Sequence, residues 1–433
     1  MAIQAIFATP GLSRRGEETI SPIILLRQHE KQWIIATLYI RQIVYRLHNH
    51  TCFPHQTTIR FSPPMSCDFI SLVSGNIASL KPYRPGKPIE ELERELGISN
   101  IVKLASNENP LGPGLQACEA IARCIQDLGR YPDGNGFVLK QALAAHLSVA
   151  SEMITLGNGS NDVLELVARV FATAEHEIVF SEHAFAVYPL VTQAIGARGI
   201  EVPAARWGHD LPAMLQAIGE HTRVVFIANP NNPTGTRIDA ETLDSFLQGV
   251  PNTVLVVVDE AYREYVEESD YPDCVQWLSR YPNLIVTRTF SKAHGLAGLR
   301  IGYSISHPDI ADLLNRVRQP FNANSVALAA AVAALADTAH VERTKRINDT
   351  GREQMTVAFH RLGLEYIPSA GNFITVDVEG PGQAIYDRLL HKGVIVRPVG
   401  DYGLPNHLRI SIGLEQENAR FIQALEDSLG CRE

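Results

Sequence analysis

Residues 289 to 302 read Thr289-Phe-Ser-Lys-Ala-His-Gly-Leu-Ala-Gly-Leu-Arg-Ile-Gly302, and they follow an apolar run that ends in Leu284-Ile-Val-Thr287. The run predicts a buried strand. Lys292, at its end, is a candidate Schiff-base former, because burial lowers the pKa of an ammonium group and frees the amine. Ser291 and Arg300 can bind a phosphate. Together these features describe a pocket for pyridoxal 5'-phosphate (PLP), although a strand followed by a glycine-rich loop with a surface lysine has the same pattern.

The length and composition of the chain limit its class. A chain of 433 residues suits one large domain and one smaller domain, and contents of 45% hydrophobic and 20% charged residues are ordinary for a globular protein. The net charge of −9 argues against nucleic-acid binding through a broad basic surface. No apolar run reaches the roughly 18 residues that span a bilayer, and the six cysteines lack C-x-x-C spacing. We therefore expect a soluble cytoplasmic protein with no nucleic-acid and no membrane partner.

The first 65 residues differ in pattern from the remainder of the chain. Four residues there invite a zinc interpretation: His48, His50, Cys52 and His55. Their spacing matches none of the paired-ligand patterns of zinc sites, so we expect no metal. We interpret residues 1–65 as an extension that is disordered or an artefact of the assigned start, with Met65 as the alternative initiator.

The remaining chain divides into three parts. Residues 66–118 are rich in Pro and Gly and predict an N-terminal arm. Between 119 and 323, short apolar runs alternate with helical patterns, which indicates a large α/β domain with a mostly parallel sheet buried on both faces. Residues 324–433 predict a small C-terminal α/β domain. The strands expected in the large domain begin at Glu177, Val224, Val254 and Leu284, and those of the small domain at Phe373, Val394 and Leu408.

A carboxylate follows the apolar strand that starts at Val254. Asp259 stands at the end of that strand, and a buried carboxylate needs a cationic or hydrogen-bonding partner. A protonated pyridine nitrogen is such a partner, and its protonation makes the cofactor ring a strong electron sink. Tyr262 could reach the phenolic oxygen of the same ring. The alternative is an aspartate that caps a helix, with a tyrosine packed behind it.

Other strand ends carry polar or aromatic residues suited to the same cofactor. Asn232 follows the strand that starts at Val224 and would direct its amide at the phenolate of the ring. Ser160 and Asn161 follow a glycine at the start of a helix, where free N–H groups can cradle a phosphate, although such residues are often only caps. Phe185 could stack on the ring or belong to the core.

These residues together resemble the fold-type-I PLP enzymes of the aspartate aminotransferase superfamily. Three motifs carry the resemblance: Asn231-Asn-Pro-Thr-Gly235, Asp259-Glu-Ala-Tyr262 and Ser291-Lys-Ala-His-Gly-Leu-Ala-Gly-Leu-Arg300. The resemblance implies a large domain whose mostly parallel seven-stranded sheet lies between layers of helices, and a small C-terminal α/β domain. It also implies catalytic roles for Lys292 as the internal-aldimine lysine, Asp259 as the partner of the ring nitrogen, and Tyr262. It implies further cofactor contacts for Ser160, Asn161, Phe185, Asn232, Ser291 and Arg300.

Within this superfamily, further motifs resemble the histidinol-phosphate aminotransferases. They are Lys81-Pro-Tyr-Arg-Pro-Gly-Lys-Pro88, Leu104-Ala-Ser-Asn-Glu-Asn-Pro-Leu-Gly112, Arg130-Tyr-Pro-Asp-Gly134 and Asn406-His-Leu-Arg-Ile-Ser-Ile-Gly413. The resemblance implies that Tyr131 reaches the cofactor phosphate of a neighbouring subunit, and hence a homodimer with shared sites. It implies substrate contacts for Tyr83, Asn232, Arg397 and Arg409. Many relatives place a tyrosine where Phe185 stands, and phenylalanine keeps the stacking but loses a hydroxyl contact.

The resemblance implies a reaction in histidine biosynthesis with ping-pong kinetics. L-Histidinol phosphate and 2-oxoglutarate would give imidazole-acetol phosphate and L-glutamate. Two alternatives remain open: an aromatic or aspartate aminotransferase, and a PLP-dependent decarboxylase of an amino-acid phosphate. A ligand-sensing regulator would need a helix-turn-helix segment, and residues 1–65 show no clear second amphipathic helix.

Overall fold

The computed structural model describes residues 24–28, 32–36, 68–83 and 85–430. Contacts divide the chain between Asp68 and Phe69. In the first unit, β1 (Ile24–Gln28) and β2 (Gln32–Ala36) pair in antiparallel fashion. These strands arise from apolar clusters in the extension for which no strand was predicted. The remainder of residues 1–65, including the four candidate zinc ligands, lies outside the described residues.

The second unit alternates strands and helices from the arm to the C-terminus. Its strands are β3 (Val102–Lys103), β4 (Ile154–Gly157), β5 (Glu177–Ser181), β6 (Arg198–Val202), β7 (Thr222–Ala228), β8 (Leu255–Asp259), β9 (Leu284–Thr289), β10 (Gly302–Ser306), β11 (Tyr366–Ile367), β12 (Phe373–Asp377), β13 (Val394–Ile395), β14 (Arg397–Pro398) and β15 (His407–Ser411). Its helices are α1 (Gly75–Ala78), α2 (Ile89–Leu96), α3 (Leu115–Cys124), α4 (Phe137–Leu147), α5 (Ser160–Phe171), α6 (Val187–Ala194), α7 (Leu211–Gln216), α8 (Ala240–Gly249), α9 (Pro308–Val317), α10 (Ser325–Ala336), α11 (Thr338–Leu362), α12 (Gly382–His391) and α13 (Glu415–Leu429).

The large sheet has seven strands in the order β4-β10-β9-β8-β7-β5-β6. Its strands are parallel except β10, which runs antiparallel to both β4 and β9. The apolar runs predicted as buried strands form β5, β7, β8 and β9, so the predicted α/β fold with a mostly parallel seven-stranded sheet is confirmed. The pairing of Gly302 with both Thr289 and Gly157 brings the β9–β10 loop back beside the start of α5.

Helices cover both faces of the large sheet. One of them, α10, follows the predicted domain boundary but packs on the large domain. Ala327, Ala330, Ala331 and Ala334 of α10 are buried in one core together with residues of α4 and the large sheet. The predicted boundary after residue 323 would assign this Ala-rich helix to the small domain. Because its small side chains allow close packing on α3 and α4, we propose that the large domain extends through α10.

The small domain contains an antiparallel sheet in the order β11-β12-β15-β14. The strand β13 pairs instead with β3, which joins the arm to this domain. The N–H of Ala370 donates to the carbonyl of Gly235 at 2.9 Å, and the hydroxyl of Thr375 donates to the carbonyl of Pro233. These bonds connect the small domain to the turn that follows β7.

Two features bear on membranes and metals. Among the described residues, no helix by itself has the length and apolar character to cross a membrane; α10 and α11 meet that test only as a pair, bent by 78°. Within the same residues, no three or more His, Cys, Asp or Glu side chains form a group that could hold a metal ion.

Candidate active site

A cleft opens at the carboxyl ends of β7, β8 and β9, where ligands bind in parallel sheets. It contains about 860 Å³ of empty space, part of it open to solvent. Twelve of the thirteen residues predicted for the site line this cleft: Tyr83, Ser160, Asn161, Phe185, Asn232, Asp259, Tyr262, Ser291, Lys292, Arg300, Arg397 and Arg409. Residues far apart in the sequence therefore meet around one space.

The amine of Lys292 lies inside the cleft, directly beyond the end of β9. Its Nζ donates to the carbonyl of Ser106 at 3.2 Å and lies 5.6 Å from the centroid of the Tyr262 ring. The side chain is partly exposed to the open cleft, but its desolvated surroundings, and next the positive charge of Arg409, lower the pKa of the amine to about 8. The neutral amine, which is the form that attacks a carbonyl, is therefore far more populated near neutral pH than in an exposed lysine.

The carboxyl group of Asp259 is buried at the end of β8. Burial raises its pKa to about 6, and a hydrogen bond from Thr287 opposes that rise. Thr287 donates to one carboxylate oxygen at 2.9 Å, and the hydroxyl of Tyr188 donates to the other at 3.1 Å. A cation in the cleft would stabilise the ionised form, so the site suits a protonated ring nitrogen.

The N-terminus of α5 faces the cleft as an anion site. Gly159 precedes the helix with a φ of 85°, and no side chain caps the helix start. A Cβ atom at Gly159 would lie 2.3 Å from Nη2 of Arg300, so the absence of a side chain admits the guanidinium. The Nη1 of Arg300 donates to the hydroxyl of Ser291 at 3.4 Å. Free N–H groups, the helix dipole and a guanidinium together favour a phosphate.

The amide of Asn232 is oriented by an arginine from the small domain. Nη1 of Arg409 lies 2.5 Å from Oδ1 of Asn232, and Nη2 donates to the carbonyl of Ala105 at 2.6 Å. Because a guanidinium only donates, Oδ1 must accept, and the Nδ2 of Asn232 remains as a donor. The buried Nε of Arg409 has no hydrogen-bond partner among the residues described.

Three further predicted residues lie at the edges of the site. The guanidinium of Arg397 lies 5.5 Å from the centroid of the Tyr83 ring, and Phe185 meets Tyr188 edge-on with centroids 5.9 Å apart. The thirteenth predicted residue, Tyr131, does not line the cleft. It is 83% exposed and stacks on Phe321 with ring centroids 4.7 Å apart. Its predicted contact is with a neighbouring subunit, so the assignment stays a prediction.

Sequence reasoning missed several residues that touch the site. Thr287 and Tyr188 hold Asp259, and Asn107 donates to the hydroxyl of Tyr262 at 2.9 Å. A threonine inside an apolar strand was a usable signal, because a buried hydroxyl needs a partner. Asn107 lies in the motif from Leu104 to Gly112, whose pattern implies no role for this residue, and nothing local distinguishes Tyr188 from a core residue.

The groups that line the cleft are chemically suited to bind PLP. The cleft holds a desolvated amine with a lowered pKa, a buried carboxylate that would gain from a cation, and an uncapped helix N-terminus with an arginine beside it. The amide of Asn232 and the hydroxyl of Tyr262 line the same cleft. The arrangement can therefore hold a ring nitrogen, a ring oxygen and a phosphate in one ligand.

Comparisons with known proteins agree with this chemistry. The sequence profile described as aminotransferase class I and II matches residues 99–425. The chain is 58% identical over 361 residues to "Histidinol-phosphate aminotransferase 1" of Nitrosococcus oceani, which covers 83% of this chain and 98% of that protein. It is 60% identical over 363 residues to "Histidinol-phosphate aminotransferase 2" of Pseudomonas fluorescens, again covering 83% and 98%.

Solved structures show a similar fold. The crystal structure of histidinol-phosphate aminotransferase from Sinorhizobium meliloti in complex with pyridoxal-5'-phosphate has a TM-score of 0.77 at 33% identity, covering 83% of this chain and 98% of that one. An aspartate aminotransferase from Thermus thermophilus, with a TM-score of 0.72 at 22% identity, is similar in fold alone; the match covers 83% of this chain and 99% of that one.

Proposed function

The chain belongs to the class I and II aminotransferase family, and on that premise we propose that it is a PLP-dependent histidinol-phosphate aminotransferase of histidine biosynthesis. It transfers the amino group of L-histidinol phosphate to 2-oxoglutarate and yields imidazole-acetol phosphate and L-glutamate. The observation that carries the proposal is the position of Lys292, Asp259 and the α5 N-terminus around one cleft. The named relatives, at 58–60% identity over nearly their whole length, support the choice of substrate.

Different residues of the cleft would bind PLP and transfer a proton. The α5 N-terminus with Ser291 and Arg300 would hold the phosphate, and Asp259 would hold the ring nitrogen in its protonated form. Bound PLP supplies an electron sink for the charge that develops when the substrate loses its Cα proton. The Nζ of Lys292 would hold the cofactor, and it is the base placed to take that proton.

The substrate would lie between the two domains. Arg409 and Arg397 offer guanidinium groups to the anionic end of the substrate, and Tyr83 covers it from the arm. Both arginines come from the small domain and line the cleft, and Arg409 already reaches Asn232 of the large domain. The roles of these three residues are part of the proposal.

We also propose that the enzyme is a homodimer in the cytoplasm. Five apolar residues on α3, α4 and the segment between them are each more than half exposed: Leu115, Ile125, Leu128, Phe137 and Val138. We call these five residues the apolar face. A second copy of the chain would cover it and bring Tyr131 towards the phosphate site of its partner. The free thiols Cys118, Cys124 and Cys274 suit a reducing compartment.

A donor screen tests the proposed reaction. Purified protein with PLP and 2-oxoglutarate is given histidinol phosphate, phenylalanine, tyrosine or aspartate, and glutamate formation is measured. We expect histidinol phosphate to give the highest kcat/KM. A preference for an amino acid would favour the aromatic or aspartate aminotransferase, and CO₂ release without consumption of 2-oxoglutarate would favour the decarboxylase.

A further inference from the structure

Asn107 is a buried residue of the cleft wall that contacts Tyr262. Only 1% of its surface is exposed, its backbone has a φ of 53°, and it lines the same cleft as Lys292. Its Nδ2 lies 2.9 Å from the hydroxyl oxygen of Tyr262. A non-glycine residue in the left-handed region is uncommon, and such strain is often found at functional sites.

Ser411 orients the amide of Asn107. The backbone N–H of Asn107 donates to the hydroxyl oxygen of Ser411 at 2.7 Å. The hydroxyl hydrogen of Ser411 is therefore free to donate, and Oδ1 of Asn107 accepts it at 3.2 Å. With Oδ1 used as the acceptor, Nδ2 faces Tyr262 as a donor.

This orientation directs the hydroxyl hydrogen of Tyr262. An amide N–H₂ cannot accept, so the oxygen of Tyr262 accepts from Asn107 and its own hydrogen must point elsewhere. Within the described part of the chain, Asn107 is the hydrogen-bond partner of this hydroxyl, and the ring borders the cleft. The hydrogen is thus available to a ligand in the cleft.

We propose that Asn107, oriented by Ser411, is a positioning residue that turns the hydroxyl hydrogen of Tyr262 towards the ring oxygen of bound PLP. The proposal rests on the proposed function, because it needs the cofactor in this cleft. Arg409 acts in the same way on Asn232, so two hydrogen-bond donors are each oriented by a neighbour. Donated hydrogens stabilise negative charge on the ring oxygen.

The test measures the pH midpoint of the absorbance change of bound PLP, in the holoenzyme without substrate. Asn107→Gly keeps the left-handed backbone and removes the amide, and Ser411→Ala removes the group that orients it. Both are expected to raise the midpoint, by roughly half to one pH unit, because a poorly aligned donor stabilises the oxyanion less. In a Tyr262→Phe background, Asn107→Gly is expected to add no further shift.

Asn109→Ala is the matched control. Asn109 is a buried amide in the same loop, and it donates to the carbonyl of Ala293 and the hydroxyl of Thr344 rather than to Tyr262. Its midpoint is expected to equal that of the wild type. A wild-type midpoint in both Asn107→Gly and Ser411→Ala, or an equal shift with and without Tyr262, would overturn the proposal. If Asn107→Gly does not fold, Ser411→Ala decides alone.

Different results would overturn the proposed function and the proposed role of Asn107. A wild-type protein that shows no PLP absorbance would overturn the proposed function, and this proposal with it. A wild-type protein with normal absorbance and unshifted variants would overturn the role of Asn107 alone.

Discussion

The chemistry of the site depends on the protonation of Lys292. Burial lowers the pKa of its amine to about 8, whereas an exposed lysine titrates near 10.5. The neutral form of an amine is the one that attacks a carbonyl, and its population rises as the pH rises through the lowered pKa. The desolvated position beyond the end of β9 thus raises the population of neutral amine at neutral pH.

The pH dependence of cofactor capture follows from this value. When cofactor-free protein is mixed with PLP, the rate of absorbance change is expected to rise with pH and level off above a midpoint of about 8. Arg409→Met removes the neighbouring positive charge, which is the second cause of the lowered pKa, and is expected to move the midpoint upwards. A rate that keeps rising to the pKa of an ordinary lysine would contradict the account.

The residue contacts that sequence reasoning missed share a physical cause. Lys292 and Asp259 were predictable because a charged residue directly after an apolar strand is a local signal. Asn107 reaches Tyr262 across 155 positions of sequence and Tyr188 reaches Asp259 across 71. Those contacts depend on strand order and on the approach of the arm to the large domain, which no local pattern encodes.

At the scale of elements, the sequence was most informative about the central strands. The apolar runs within β7, β8 and β9 consist mostly of Val, Ile, Leu and Phe, because both faces of these strands are buried. The antiparallel pair β1–β2 was not predicted. The Ala-rich helix α10 was assigned to the small domain, since its uniform composition gives no indication of which core it joins.

Replacement of Gly159, the glycine before α5, is expected to weaken the binding of PLP. Gly159→Ala would place a methyl group against Arg300 and strain a backbone that has a φ of 85°. We expect PLP to bind roughly tenfold to a hundredfold more weakly, as for the loss of a charge-assisted hydrogen bond. Titration of cofactor-free protein with PLP measures the Kd.

Gly97→Ala is the matched control for Gly159→Ala. Gly97 also has a positive φ, of 65°, but a Cβ atom there would meet nothing within 4 Å. Both substitutions carry backbone strain, and only the first disturbs the anion site. Equal loss of PLP affinity in the two variants would mean that Gly159 acts through stability and not through Arg300.

At the scale of the whole molecule, the apolar face is the feature that a single chain leaves unexplained. It lies beside a groove with about 960 Å³ of empty space between α3, α4 and α10. Large exposed apolar patches often mark interfaces. A dimer through this face would explain both the exposed side chains and the position of Tyr131.

Charges on the apolar face should separate the proposed dimer. We expect the double variant Leu128→Glu, Val138→Glu to associate at least roughly a hundredfold more weakly, because unpaired carboxylates would be buried in the interface. Light scattering after size exclusion measures the mass. Val357→Glu introduces one such carboxylate at a similarly exposed apolar position on α11 and should remain dimeric. A double variant with the wild-type mass would exclude this face as the interface.

The covalent link between Lys292 and PLP is the central claim, and chemical trapping tests it most directly. Borohydride reduction of the holoenzyme, followed by peptide mass spectrometry, locates the lysine that carries the reduced cofactor. The account predicts one modified peptide, with the added mass on Lys292, and no modified peptide in a folded Lys292→Ala variant. A modification at another lysine, or an unmodified Lys292 in protein that has bound PLP, would contradict it.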